Sequence, residues 1–591
     1  MSKGKIIVVG GGLAGLMATI KAAEAGMKVD LFSVVPVKRS HSVCAQGGIN
    51  GALNTMGEGD STWEHFDDSV YGGDFLANQP PVKAMCDAAP GIIHLMDRMG
   101  VMFNRTPEGL LALRRFGGTQ HHRTAFAGAT TGQQLLYALD EQVRRHEVAG
   151  LVTKYEGWEF LSAIVDESDG RCRGITAQNL ATSEMKSFRA DATILATGGP
   201  GIIFGKSTNS MINTGYAAAA VYKQGAYYAN GEFIQIHPTA IPGDDKLRLM
   251  SESARGEGGR VWTYNEDNEP WYFLEEKYPA YGNLVPRDIA TREIFSVCVD
   301  QKRGINGENM VYLDLSHKDP KELDVKLGGI MEIYEKFMGD DPRKVPMKIF
   351  PAVHYSMGGL WIDYDQMTNI PGLFAAGECD YSQHGANRLG ANSLLSAIYG
   401  GMVAGPKAVE YISGLEQASE DVSSQVFDSQ LMKDQQQFED ILKMDGDENA
   451  FKLHQELGEW MTDNVTVVRE NKRLLETDEK LQELMERYKN INIDDTAKWS
   501  NQSAAFVRQL DGMLNLARVI TLGAYNRNES RGAHYKPEFP DRNDDEWMKT
   551  TKAKMNTSTG APDFEYEDVD VSLIKPRKRD YTSKKQGSVK S

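Results

Sequence analysis

Near the N-terminus, Gly10-Gly11-Gly12-Leu13-Ala14-Gly15 stands between a short β-branched run, Lys5 to Val9, and a segment of helical spacing, Leu13 to Ala25. The run reads as a buried parallel strand, and the segment as a helix that ends at Gly26. Lys28 to Phe32 then reads as a second strand. This is a dinucleotide-binding βαβ unit. Gly10 makes the tight turn, Gly12 lets the backbone approach a pyrophosphate, and Gly15 allows close helix packing. Gly11, Leu13 and Ala14 complete the turn, where the helix N-terminus faces the phosphate charge. A glycine fingerprint alone is weak evidence, but one set between strand and helix is specific. The pattern expects an acidic residue after the second strand to hold a ribose hydroxyl, and Ser33 stands there instead. A hydroxyl makes the same hydrogen bond without charge assistance.

The chain has 591 residues, more than one hydrophobic core accommodates, so several domains are expected. With 41% hydrophobic and 25% charged residues its composition is that of a globular protein. A net charge of −17 argues against nucleic acid as the main partner. The five cysteines, Cys44, Cys86, Cys172, Cys298 and Cys379, form no CxxC pair or cluster. Iron–sulfur or zinc ligation by this chain alone is therefore not expected, and the scatter suits a reducing compartment. Lys3 and Lys5 precede an apolar run as in a signal peptide, but glycines interrupt the run and no cleavage-site pattern follows. No stretch of about 18 apolar residues occurs, so membrane contact is expected only through a partner. The expected location is the cytoplasmic side of the cell membrane, held peripherally.

A histidine in a loop is usually a surface residue or a hydrogen-bonded filler. His41 has more telling neighbours: Arg39-Ser40-His41-Ser42 is followed by Ala45-Gln46-Gly47-Gly48. This stretch resembles the flavin-attachment segment of the succinate dehydrogenase and fumarate reductase flavoproteins. The resemblance implies FAD bonded covalently through its 8α carbon to His41, with Ser40, Ser42, Gln46, Gly47 and Gly48 along the cofactor. Asp191 to Gly199 and Gly372 to Glu378 each read as an apolar strand running into glycine. Both resemble segments of two-dinucleotide-fold flavoproteins, in which Glu378 would lie against the ribityl chain. Ser393 and Leu394 join the cofactor set by the same resemblance.

The expected fold is therefore α/β: a Rossmann-like FAD-binding domain, residues 1–234 and 351–420, interrupted by an α+β capping domain, 235–350. Amphipathic spacing through Leu453, Leu457, Trp460 and Met461, and again through Leu510, Met513 and Leu514, marks a helical domain over 421–530. A small C-terminal domain, 531–591, closes with a basic stretch from Lys575 to Lys590 that reads as a solvated end.

Four further segments match the same family in order. They are Gln235-Ile236-His237-Pro238-Thr239, Ser251 to Gly258, Pro286 to Arg292, and His354-Tyr355-Ser356-Met357-Gly358-Gly359 with His384 to Leu394. Succinate carries two carboxylates and unactivated C–H bonds. Its oxidation needs a clamp for both anions, a proton acceptor, and a hydride acceptor. Arginine suits the clamp because its planar fork meets a carboxylate through two hydrogen bonds. By resemblance, Arg388 and His354 hold one carboxylate and His237, Ser251 and Glu252 meet the other. Ser251 stands where the family usually has threonine. Arg287 matches the proton-transferring arginine, with Glu252 and Arg255 as its relay. The arginine-rich stretch Arg114 to Arg123 reads either as a solvated loop or, by resemblance, as the border of the substrate cavity, with Phe116 in it. Tyr216 departs from the family, which often has aspartate there.

The implied partners are an iron–sulfur subunit, a haem b-bearing membrane anchor and menaquinone. The alternatives are a fumarate reductase working in reverse and a non-catalytic flavin-binding assembly protein. L-aspartate oxidase lacks a histidine at the place of His41, and an NAD-dependent dehydrogenase would need a second nucleotide site.

Overall fold

β1 (Lys5–Val9), α1 (Leu13–Glu24) and β2 (Lys28–Ser33) form as the glycine-rich turn requires. Ile6, Ile7 and Val8 are all fully buried, as a strand covered on both faces must be. The computed structural model describes residues 4–243 and 246–583. In it, five strands form a parallel sheet in the order Leu373–Ala375, Ala192–Leu195, β1, β2 and Val152–Glu156. The two late apolar segments thus return to the same sheet beside β1. α1 packs on the helix Asn392–Ser413 through small residues. A Cβ on Gly401 would lie 2.3 Å from the Ala14 carbonyl oxygen, so the two backbones approach more closely than any side chain permits.

Between the strands Ala192–Leu195 and Leu373–Ala375 of this sheet, the chain builds a six-stranded antiparallel sheet. Its order is Arg248–Leu249, Ile234–Ile241, Met347–Ser356, Val311–Asp314, Arg260–Tyr264 and Pro270–Trp271. The short helix Arg287–Phe295 packs on it, with Thr291 Oγ1 donating to the Ile236 carbonyl at 3.0 Å. Four long helices follow: Ser424–Leu442, Ala450–Asn464, Asn471–Tyr488 and Gln502–Asn526. Ser423, Asn449 and Asn501 cap three of them by accepting from main-chain N–H groups of the first turn. The amphipathic spacing is realised as a core: Leu453, Leu457, Met461, Leu510 and Met513 are fully buried. The strands Lys549–Met555 and Pro562–Asp568 then join Tyr228–Ala229 and Gly359–Leu360 in a four-stranded sheet. The α/β class with an interrupted sheet, helices and a C-terminal unit is the one expected. Among the described residues, no helix is long and apolar enough to cross a membrane.

Two readings need correction. The arginine-rich stretch is not a solvated loop, because Arg114 is 2% exposed and Arg123 0%. Arg123 pairs with Asp60 at 2.7 Å and Asp68 at 2.8 Å, which neutralises it away from water. The basic end is not wholly solvated over its first part either: Lys575 and Lys578 are exposed, but its two arginines are paired. Arg577 donates to both oxygens of Asp67 at 2.8 Å, and Arg579 is bound to Asp288. The remainder of that stretch, from 584, lies outside the described residues.

Candidate active site

The C-terminal ends of the parallel strands open into a cavity of about 760 Å³, lined there by Val9, Ser33, Ala196 and Ala376. Ligands of open α/β sheets bind in this position, and the volume is that of a cofactor pocket. The cavity also takes Phe116, His237, Ser251, Glu252, Arg287, His354 and Arg388 into its wall. Nucleotide turn and candidate substrate groups therefore share one space.

At the nucleotide turn, α1 begins without a side-chain cap and without an acidic residue in its first turn. Its N-terminus is left to an anion. A Cβ on Gly12 would meet only Ser42 Oγ, at 3.3 Å, so the space there is open to a ligand. Gly10 and Gly15 differ. Their Cβ atoms would fall 2.1 Å from the Ala196 carbonyl oxygen and 1.8 Å from the Gly10 carbonyl oxygen. Gly15 does not line the cavity; it lets the helix sit on the turn. Gly11, Leu13, Ala14, Ser33, Ser40, Ser42, Gln46, Gly47, Gly48, Ser393 and Leu394 all line it. Ala391 precedes the helix bearing Ser393 and Leu394 in a left-handed conformation, φ 65°, uncommon for a residue with a Cβ. Such strain gathers at ligand sites.

His41 points Nδ1 at the Ser210 main-chain N–H, which donates to it at 3.2 Å. That leaves Nε2 as the ring nitrogen available to a flavin. Burial, and next the nearby Lys246 charge, push the ring's pKa down to about 4, so the imidazole is neutral. Glu378 accepts from the Ser356 N–H at 3.1 Å, and burial pushes its pKa up to about 7. Its carboxyl stands against Gly199, where a Cβ would lie 2.6 Å from Oε1. These features fit FAD: an uncapped helix end, an open glycine cradle and a neutral histidine with one free nitrogen.

The candidate substrate groups form a buried, cationic cluster. Arg287 is 5% exposed, Arg388 2% and His237 0%. Arg287 Nη1 donates to Gln235 Oε1 at 2.9 Å, and Nε and Nη2 donate to Glu252. Burial alone would raise the Glu252 pKa, but the Arg287 and Arg255 guanidiniums outweigh it and hold the carboxylate below its usual range. Burial, then Arg287, pushes the Arg388 pKa down to about 9. The Arg388 guanidinium stacks over the Tyr355 ring at 4.3 Å. His237 and His354 lie ring to ring at 5.0 Å, and burial holds both well below the ordinary histidine value.

His237 Nε2 and Arg388 Nε are buried without any hydrogen-bond partner. Leaving a donor of this kind unfilled costs about 1–3 kcal/mol, so a ligand or water that completes the pair is favoured. Two cations and two neutral histidines, with His237 Nε2 and Arg388 Nε left unfilled, make a site suited to an anion. Arg255 does not line the cavity. It stands behind Glu252, with Nη2 3.3 Å from Oε1, and donates to the Asn283 carbonyl at 2.7 Å. Tyr216 does line it, and its hydroxyl donates to the Leu161 carbonyl at 3.2 Å.

Sequence reasoning passed over Thr208, whose Oγ1 lies 2.7 Å from His354 Nδ1 and orients that ring. It also passed over the Gly117 N–H, which donates to Glu252 Oε1 at 2.8 Å. Gln235 was visible in its motif but carried no role. Thr208 and Gly117 had no signal, since neither is near its partner in the chain.

Residues 5–394 match the family of FAD binding domains, and residues 454–581 match the C-terminal family of fumarate reductase flavoproteins. The chain is 81% identical, over 99% of its length and 100% of the relative's, to a succinate dehydrogenase flavoprotein subunit of Bacillus subtilis. Among solved structures, an Escherichia coli quinol fumarate reductase chain superposes with a TM-score of 0.92 at 32% identity, covering 98% of this chain and 99% of that one. A quinol-fumarate reductase with menaquinol molecules gives 0.90 at 32% identity, covering 98% and 100%. A glycine cradle, a histidine loop and a buried cationic cluster in one cavity thus coincide with similarity along nearly the whole chain, which belongs to the flavoprotein subunits of succinate dehydrogenase and fumarate reductase.

Proposed function

We infer that this chain oxidises succinate to fumarate with FAD as the hydride acceptor, as the flavoprotein of a quinone-linked complex. The observation that carries the reading is the pair of orphaned donors, His237 Nε2 and Arg388 Nε, in the cavity wall shared with the nucleotide turn. Bound FAD supplies the acceptor for a hydride, and Nε2 of His41 would hold it covalently through the 8α carbon. Arg388 and His354 clamp one carboxylate of the dicarboxylate, while His237, Ser251 and Glu252 meet the other. Thr208 fixes the His354 ring for that task. Arg287 takes the proton from the second carbon. A guanidinium is a poor base in water, so the proton needs somewhere to go. Glu252 touches Arg287 on one oxygen and stands 3.3 Å from Arg255 on the other, and this chain supports a relay.

The division into an FAD-binding part (1–234 and 351–420), a cap (235–350), a helical part (421–530) and a C-terminal part (531–591) accompanies this reading. Electrons must leave the flavin, and among the described residues no group of His, Cys, Asp or Glu could hold a metal ion. On this reading an iron–sulfur subunit receives them, seated on a haem b-bearing anchor that passes them to menaquinone, and this chain is held peripherally on the cytoplasmic side of the cell membrane. The menaquinol in one solved relative supports that quinone. The same site serves fumarate reduction, and the likeness to quinol fumarate reductases favours that as the second reading.

Purification from solubilised membranes tests the assignment. The chain should copurify with an iron–sulfur protein, carry flavin fluorescence after denaturation, and reduce quinone faster with succinate than the complex reduces fumarate with quinol. A chain that is fully active with quinone on its own overturns the partner. Loss of all flavin on denaturation overturns the covalent bond, and a faster fumarate reaction selects the second reading.

A further inference from the structure

The helix that carries Arg287 is held from outside its own segment. Asp288, the next residue, is 5% exposed, and its two oxygens receive Arg579 Nη1 at 2.9 Å and Nη2 at 3.1 Å. Arg292 adds only a longer contact, 3.4 Å. Arg579 Nη1 also reaches Asp74 Oδ2 at 3.4 Å. Asp74 belongs to the other side of the cavity, just beyond the helix α2 (Thr62–Gly72). It is itself fixed, by Arg542 at 2.8 Å and by the Gly532 N–H at 2.9 Å. One guanidinium therefore joins a carboxylate next to Arg287 to a carboxylate on the nucleotide-binding side.

A second bridge lies two residues on. The Tyr581 ring sits between Tyr71 of α2, centroids 5.4 Å apart, and Tyr281 of the inserted segment, 5.0 Å apart. The strap is pinned to α2 by more than this ring. Arg577 makes its two-oxygen contact to Asp67 and stacks on the Tyr71 ring at 4.8 Å. The Tyr71 hydroxyl donates to the Asp580 carbonyl at 3.1 Å and accepts from the Asp580 N–H at 2.5 Å.

We propose that residues 575–583 are a latch that sets the position of Arg287 over the cavity, with Arg579 as the positioning residue. The inserted segment brings Arg287, Glu252 and His237, whereas Arg388 and His41 come from the nucleotide-binding side. A dicarboxylate is clamped only when the two sides stand together. Removing Arg579 leaves Asp288 buried with one distant partner, and an uncompensated buried charge disfavours the arrangement that buries it. The population able to bind falls, and apparent affinity falls by the same fraction. Asp288 and Arg579 do not line the cavity, so the effect is on position and not on chemistry.

The proposal rests on the reading that Arg287 and Arg388 hold a dicarboxylate, and the test separates the two. In the purified complex, malonate is titrated by flavin absorbance into the wild type, Arg579→Gln, Arg579→Lys and Tyr581→Leu, with succinate KM, kcat and thermal midpoint measured alongside. A wild type that binds no malonate overturns the dicarboxylate reading, whatever the variants do. With binding established, Arg579→Gln is expected to raise malonate Kd and succinate KM about tenfold, as for a closed population cut to about a tenth. Arg579→Lys should recover most of that affinity, and Tyr581→Leu should weaken binding in the same direction by less. A lowered thermal midpoint with wild-type malonate affinity in Arg579→Gln overturns the latch. Should Arg579→Gln not assemble, wild-type affinity in Tyr581→Leu and Arg579→Lys together overturns it.

Discussion

Arg287 and Glu252 meet on a single oxygen: Nε and Nη2 of the arginine both donate to Oε2 of the glutamate, at 2.8 and 2.6 Å. The other glutamate oxygen is taken separately, by the Gly117 N–H and by Arg255. The carboxylate therefore holds the guanidinium plane at one angle and keeps Nη1 turned toward Gln235. Orientation is what a proton-transferring group needs first, before its acidity matters.

Replacing Arg287 by lysine tests this division of labour. Arg287→Lys keeps the positive charge but loses the planar fork, so it cannot hold both Glu252 and Gln235. Dicarboxylate affinity, read by malonate titration, should stay within about tenfold, because Arg388 and both histidines remain. Turnover should fall about 10²–10⁴-fold, as when a positioned acid–base group is lost. Near-normal kcat in both directions would place the proton path elsewhere.

His41 separates holding the flavin from setting its potential. If the nucleotide turn and Glu378 hold FAD as proposed, the covalent bond is not needed for binding, and His41→Ser should fold and retain FAD that denaturation releases. An imidazolyl substituent draws electrons from the 8α carbon, and about 30 mV corresponds to about 1.4 kcal/mol for a two-electron couple. Succinate is a weak reductant, so succinate–quinone activity should be lost. Fumarate reduction with an artificial donor should remain measurable. Equal loss of both, with FAD still bound, would make His41 a geometric requirement.

Two glycines three residues apart should fail differently. Gly12→Ala places its Cβ near Ser42 Oγ alone, at 3.3 Å, so the chain should fold normally and lose FAD content. Gly15→Ala forces its Cβ to 1.8 Å from the Gly10 carbonyl oxygen, so soluble yield and thermal midpoint should drop before any cofactor effect is seen. Flavin content per folded chain, by absorbance, distinguishes them. Full flavin content in Gly12→Ala would mean that the turn is not the phosphate cradle.

A buried histidine gives the pH test. His65 is fully buried with Nε2 3.0 Å from Asn392 Oδ1, and burial, then Arg123, pushes its pKa from 6.5 to about 3. The folded value is depressed, so the unfolded chain takes the proton first. The contribution is present in full above about pH 6.5 and is lost as pH falls, by about 1.4 kcal/mol per pH unit. His65→Gln keeps a donor for Asn392 and removes that titration. Its thermal midpoint should depend less steeply on pH between about 5 and 6.5 than the wild type's. An unchanged slope would show that the ring accepts a proton in the folded chain.

Much of the site was legible because its parts are local phrases. His237 with Gln235, Glu252 with Arg255, and Arg388 with Ser393 each sit within a few residues of one another, and each phrase carries residue types that one reaction requires. What failed were statements about residues whose partners are remote. The basic end read as solvated because its charges have no nearby acids in the chain; Arg579 finds Asp288 across 291 residues. For Arg123 the chain left a solvated loop and a cavity border both open, until the fold brought Asp60 and Asp68 to it.

The sequence by itself determined the nucleotide turn, the histidine loop and the order of the substrate motifs. Each depends on sterics, main-chain hydrogen bonds or reactive groups within a few positions, and those are written in spacing. Tertiary structure alone decided that Arg255 stands behind Glu252 and that Thr208 orients His354. It alone decided that the C-terminal strap bridges the two sides of the cavity. These follow from which buried charge or unpaired donor meets which partner when distant segments pack, and a satisfied buried ion pair leaves no periodicity in the chain to announce it.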